Sequence, residues 1–124
     1  MEINAAQRNR YARLYESTIN NDAFTKPTIP PDVEPKYLRY TILNKSKHPT
    51  TEISQNAWSQ GFEIGSFNWQ NPIHLKYPYN RIIKKTQDLK NSEYLSKNII
   101  NLPVHKYLSE DDINKITEFL NNIK

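Results

Sequence analysis

Apolar and polar positions alternate along this chain with periods that change several times, and each change marks an element. Tyr11, Leu14, Tyr15 and Ile19 form one apolar stripe in a run of good helix formers, which predicts a helix from Glu2 to about Asn21. The next stretch, Lys26 to Pro35, holds four prolines, each fixing φ and removing a backbone donor, so it is an extended crossing segment. Tyr37 to Leu43 is rich in aromatic and β-branched residues and alternates in twos: a strand, with Leu38, Tyr40 and Ile42 on one side.

After a turn around Pro49, Thr50 or Thr51 can cap a helix carrying Ile53, Ala57 and Trp58, and Gly61 stands where a left-handed C-terminal cap belongs. Phe62 to Gly65 reads as a short strand. Residues 66–88 form a long irregular loop dense in aromatics and amides, and such loops inside a compact domain commonly bind something. A short helix over Asn91 to Lys97 and a strand over Ile99 to Leu102, stopped by Pro103, follow. The last helix is announced by Ser109 as N-cap, Asp112 three residues on, and Leu108 placed to staple against Ile113. Its apolar positions Ile113, Ile116, Leu120 and Ile123 give it one buried face. The whole order predicts an α+β domain: a short antiparallel or mixed sheet of about three strands, covered by helices.

Composition narrows the function classes. At 124 residues the chain is expected to be a single domain, and 36% apolar residues, with eight tyrosines, four phenylalanines and two tryptophans, allow a modest core. There is no cysteine, which removes disulfides and thiolate chemistry. No signal-peptide layout and no apolar run of membrane-spanning length is present, so a cytoplasmic protein with no membrane partner is expected. The net charge of +4 comes from scattered residues, and an ordinary solvated surface explains it better than nucleic-acid binding.

The tail from Ile99 to Leu120, with Leu102-Pro103, Leu108, Asp112 and Ile116 in order, resembles the ending of the DegT/DnrJ/EryC1/StrS aminotransferases. Upstream, Gly61-Phe62-Glu63 followed by Pro72-Ile73-His74 is similar to that family's Gly-hydrophobic-Glu and Pro-Leu-His segments, and Arg8 to Tyr15 is similar to the helix that leaves its large domain. The matches are collinear and cover nearly the whole chain. The resemblance implies the C-terminal small domain of a fold-type I enzyme that uses pyridoxal phosphate (PLP) to move an amino group onto a nucleotide-linked keto-sugar, in cell-surface polysaccharide biosynthesis among other routes. It also implies a homodimer, and a PLP-binding large domain, in cis or in trans, that carries the Schiff-base lysine and the phosphate cup. This chain has no counterpart of that large domain, so no catalytic residue and no cofactor ligand is expected in it, and it should be inactive alone. The alternative is a free-standing sugar-binding or protein-interaction module derived from the same domain.

Three residues are candidates for the substrate side. His74 falls where some family members line the nucleotide-sugar side of the active site; otherwise it caps a turn. Asn68 and Trp69 could pair an amide with sugar hydroxyls and a ring with the sugar's apolar face, or Trp69 could simply be packing. The sequence Phe67-Asn68-Trp69-Gln70-Asn71 before Pro72 departs from the aromatic pair common in the family, so sugar specificity does not carry over. Lys84 and Lys85 read as solvated rather than as Schiff-base residues, Ser109, Glu110 and Asp112 as a helix cap rather than a hydrolytic set, and His48 and His105 as structural, with no metal-ligand spacing.

Overall fold

The computed structural model describes residues 2–65, 71–84 and 87–124. Among them the chain forms helix α1 (Glu2–Thr18), strands β1 (Phe24–Thr25) and β2 (Tyr40–Asn44), helices α2 (Thr50–Ser59) and α3 (Lys90–Asn98), strand β3 (Ile99–Leu102) and helix α4 (Glu110–Asn121). Two 3₁₀ turns, Ile73–Leu75 and Tyr79–Arg81, lie between α2 and α3. The sheet is antiparallel throughout, in the order β1-β2-β3. The expected α+β class holds, and the choice between antiparallel and mixed falls to antiparallel.

Three strand assignments change. The central strand begins at Tyr40 rather than Tyr37, because its register runs from Tyr40↔Leu102 to Leu43↔Ile99 and β3 extends no further. Leu38 is left 75% exposed there. Phe62 to Gly65 makes a single antiparallel bridge, Gly65↔Asn101, instead of a strand. The cause is the end of α2. The Phe62 amide donates to the Ala57 carbonyl (2.9 Å) and the Gly61 amide to that of Trp58 (3.0 Å), a Schellman pattern that turns the chain sharply, with Gly61 at φ 86°. The third sheet member is β1, too short to carry a pattern, held by Phe24↔Asn44 and Thr25↔Leu43.

Helix α2 is preceded by Pro49, and neither Thr50 nor Thr51 supplies a side-chain cap. Thr50 is instead buried, its hydroxyl accepting from Asn44 Nδ2 at 3.2 Å. The capping box of α4 forms as its sequence announces: Ser109 Oγ accepts from the Asp112 amide at 3.2 Å, while Asp112 accepts from the Ser109 amide at 2.8 Å.

The core lies between the sheet and the paired helices α1 and α4. Tyr15, Tyr40, Ile64, Ile100, Leu102, Ile113 and Leu120 are fully buried in it. Each large apolar side chain removed from water in this way stabilises the fold by about 1.5–3 kcal/mol. The rings of Tyr15 and Tyr40 stack at 5.6 Å, and both hydroxyls find partners: Tyr15 donates to the Pro103 carbonyl (3.1 Å), and Tyr40 to the Glu16 carboxylate. Burial pushes both phenols well above the usual tyrosine range, and the hydrogen bond to Glu16 adds to the shift at Tyr40.

The two ends of the chain are stitched together by polar side chains. Tyr11 donates its hydroxyl to the Leu108 carbonyl, Asn121 Nδ2 donates to the Thr18 carbonyl at 3.0 Å, and Asn21 Nδ2 reaches the Leu120 and Ile123 carbonyls at 3.0 and 2.8 Å. The last two contacts reach carbonyls at and just beyond the C-terminal end of α4, that of Leu120 also accepting the Ile123 amide at 3.2 Å.

Candidate functional site

A cavity of about 640 Å³ opens between the loop after Asn71 and the adjoining face of α3, within the size range of small-molecule sites. The helix contributes Ser92, Leu95 and Ser96, with Leu89 just before it and Ile99 just beyond, so that two hydroxyls stand among three apolar side chains. The loop contributes Pro72, Ile73, His74 and Tyr79, with Asn71 and Lys76 adding an amide and a cation.

The loop is built from tight turns. Pro72 and Ile73 carbonyls accept from Leu75 (2.9 Å) and Lys76 (3.2 Å), and the Asn80 amide reaches back to Lys76 at 3.0 Å. Tyr77-Pro78 is a cis peptide, and the Arg81 guanidinium sits 4.8 Å over the Tyr77 ring. Most of the loop's large apolar groups face outward: Ile73, Leu75, Tyr77, Tyr79, Ile82 and Ile83 are all exposed, and Tyr94 and Leu95 of α3 join them.

His74 is the exception. Its side chain is only 5% exposed, and Nε2 lies 3.0 Å from Glu93 Oε1 on α3. The structure thus brings one of the three candidate substrate-side residues to the cavity, whereas Asn68 and Trp69 lie outside the described residues. The helix residues Ser92, Glu93 and Ser96 were not singled out from sequence. Their signal was the spacing of Leu89, Ser92, Ser96 and Ile99, which is a helix face that mixes apolar and hydroxyl groups.

The remaining candidates fall elsewhere. His48, just before α2, pairs with Glu52 in the helix's first turn at 2.9 Å. His105 packs beside Tyr107, its Nδ1 buried and without a hydrogen-bond partner among the described residues. Among the described residues no group of three potential metal ligands occurs, and no helix is long and apolar enough to cross a membrane. Ser109 and Asp112 cap α4, and the two hydrogen bonds from Ser109, the backbone one first, hold the Asp112 carboxyl below the usual carboxylate range.

A PLP enzyme holds its cofactor through the amine of an enclosed lysine. Among the described residues every lysine, Lys84 included, is exposed except Lys26, whose ammonium donates to the Glu16 and Ile19 carbonyls at 2.7 and 3.1 Å; Lys85 lies outside them. The residues described here therefore do not fit the cofactor.

Comparison with solved structures gives the class first: the fold is that of one portion of a PLP-dependent aminotransferase. S. venezuelae DesV, solved with a ketimine intermediate, superposes with a TM-score of 0.83 over 97% of this chain and 32% of its own, at 16% identity. An aminotransferase from Brucella abortus gives 0.79 over 96% and 31%, at 26% identity. Spr1654 from Streptococcus pneumoniae, solved in PLP and PMP forms, gives 0.78 over 98% and 31%, at 19% identity. The chain thus spans about a third of the length of each. The particular family follows from sequence: residues 1–121 match the DegT/DnrJ/EryC1/StrS aminotransferase family, and the chain belongs to it. No curated protein matches it by sequence.

Proposed function

We propose that this chain is the C-terminal small domain of a PLP-dependent nucleotide-sugar aminotransferase, that it acts with a PLP-bearing large domain supplied in cis or in trans, and that it is inactive alone. The observation that carries this reading is a mismatch. The chain aligns along nearly its full length with aminotransferases three times longer, yet none of its described lysines is enclosed as the chemistry requires. The exposed apolar side chains from Ile73 to Ile83 support it, as the face on which a large domain or a second subunit of a homodimer would pack.

In that arrangement the loop, with Asn68, Trp69 and His74, belongs to the substrate side, and PLP bound by the large domain would supply the electron sink for amino transfer. The small domain would orient the sugar nucleotide and exclude water as it closes. A second reading is a free-standing sugar-binding module, for which the cavity between the loop and α3 would be the site.

PLP titration with borohydride reduction and mass analysis separates these. The chain alone is expected to give no single-site adduct, and a mixture with a family large domain is expected to aminate a nucleotide-linked keto-sugar. A single-site reducible adduct on the chain alone, at Lys84 or Lys85 for instance, overturns the proposal. Saturable binding of a nucleotide sugar by the chain alone, with no activity in the mixture, favours the module.

A further inference from the structure

His74 was singled out for the substrate, but its geometry assigns it a different task. A carboxylate oxygen can only accept, so the ring nitrogen facing Glu93, Nε2, carries the hydrogen, and that donor is no longer available to a ligand. Among the described residues, the other hydrogen bonds of 71–84 are turns within the loop itself. Among the described residues, His74 to Glu93 is the one hydrogen bond that ties this loop to the rest of the fold. It does so from a buried side chain, beneath a segment whose large apolar groups point away from the core.

We propose that His74 is a positioning residue: its Nε2–H, held by Glu93, latches the 71–84 loop onto α3 and so keeps the cavity between them in shape. A hydrogen bond to a charged group, shielded on the histidine side and partly open on the glutamate side, is among the stronger kinds and joins the loop directly to α3. The groups left free to touch a ligand are then the polar ones around the cavity, Asn71, Lys76, Tyr79, Ser92 and Ser96. This rests on the reading above only in taking the cavity as the substrate side; the latch itself is a property of the unliganded chain.

The test uses the 124-residue chain without ligand. Trypsin cutting after Lys76, Arg81 and Lys84, all exposed, reports opening of the loop, while cutting after Arg13 inside α1 reports opening of the whole fold. His74→Ala and Glu93→Ala are each expected to speed loop cutting about tenfold, with the double variant no faster than the faster single one. His74→Gln and Glu93→Gln, which keep a donor and an acceptor, should retain most of the protection. Unchanged loop cutting in either alanine variant, or effects that multiply in the double variant, overturns the latch.

If the alanine variants also speed cutting at Arg13, ring nitrogen NMR of the unaltered chain decides. An Nε2–H tautomer whose Nε2 resonance shifts in Glu93→Gln upholds the proposal, and an Nδ1–H tautomer overturns it. A chain that shows the latch but never complements a large domain upholds this inference while removing the aminotransferase reading, so the two fail separately.

Discussion

Gly61→Ala isolates a backbone effect from a packing effect. A Cβ built at Gly61 meets nothing within 4 Å, so the space is open, but the residue sits at φ 86°, where an L side chain crowds its own carbonyl. That conformation costs about 1–2 kcal/mol for alanine. The smaller freedom of alanine in the unfolded chain returns about 0.4–1 kcal/mol. The net loss is about 1 kcal/mol. For a domain of this length the entropy of unfolding converts that into a fall in Tm of about 4 °C. Differential scanning calorimetry on Gly61→Ala and Gly61→Asn checks it: asparagine tolerates the left-handed region and should lose clearly less. An alanine variant as stable as the parent would refute the argument, because it would mean that α2 does not end in the Schellman turn that carries the chain to Gly65.

Other outcomes follow from the same geometry. Ser109→Ala removes the acceptor at the start of α4 and should cost about 1 kcal/mol in a denaturant melt. Because the Asp112 carboxyl is held below its ordinary value of 3.8, its contribution is present above that pH and is lost as the pH falls through the folded value; Asp112→Asn should flatten the acid limb of a Tm-against-pH curve. Tyr15→Phe strands the Pro103 carbonyl and should cost about 1–2 kcal/mol by chemical denaturation. Tyr15 and Tyr40 have phenols raised above 10.0, so the unfolded chain releases those protons first and stability should fall as the pH rises past about 10. Absorbance at alkaline pH should show these two tyrosines ionising only on unfolding.

How much of this was legible in the sequence depends on how far apart the determining residues lie. Helix α4 was readable because Ser109, Asp112 and the spacing of Ile113, Ile116 and Leu120 are local. Strand β1 was not: two residues carry no alternation, and Phe24 and Thr25 become a strand only because β2 offers them Asn44 and Leu43. Phe62 to Gly65 misled because its apolar alternation was real, but the helix cap takes up the Phe62 amide and only Gly65 reaches β3. At the site, His74 could be picked out from its Pro-Ile-His setting. Its partner Glu93 stands 19 residues later, with no local feature marking it, and only folding joins them.

The stitching of α1 to α4 bears on how the polypeptide emerges from a ribosome. Contacts such as Tyr11 to Leu108 and Thr18 to Asn121 join residues separated by 97 and 103 positions, so α1 waits for the segment from Leu108 through α4 to be made. Until then Thr18 and Asn21 lack the partners that α4 brings, although Tyr15 can already stack on Tyr40. Closing so long a span is slow compared with forming local turns. A nascent chain stalled before residue 110 should therefore remain protease-sensitive and bind chaperones, and emergence of α4 should convert this part of it to the compact form in a single step.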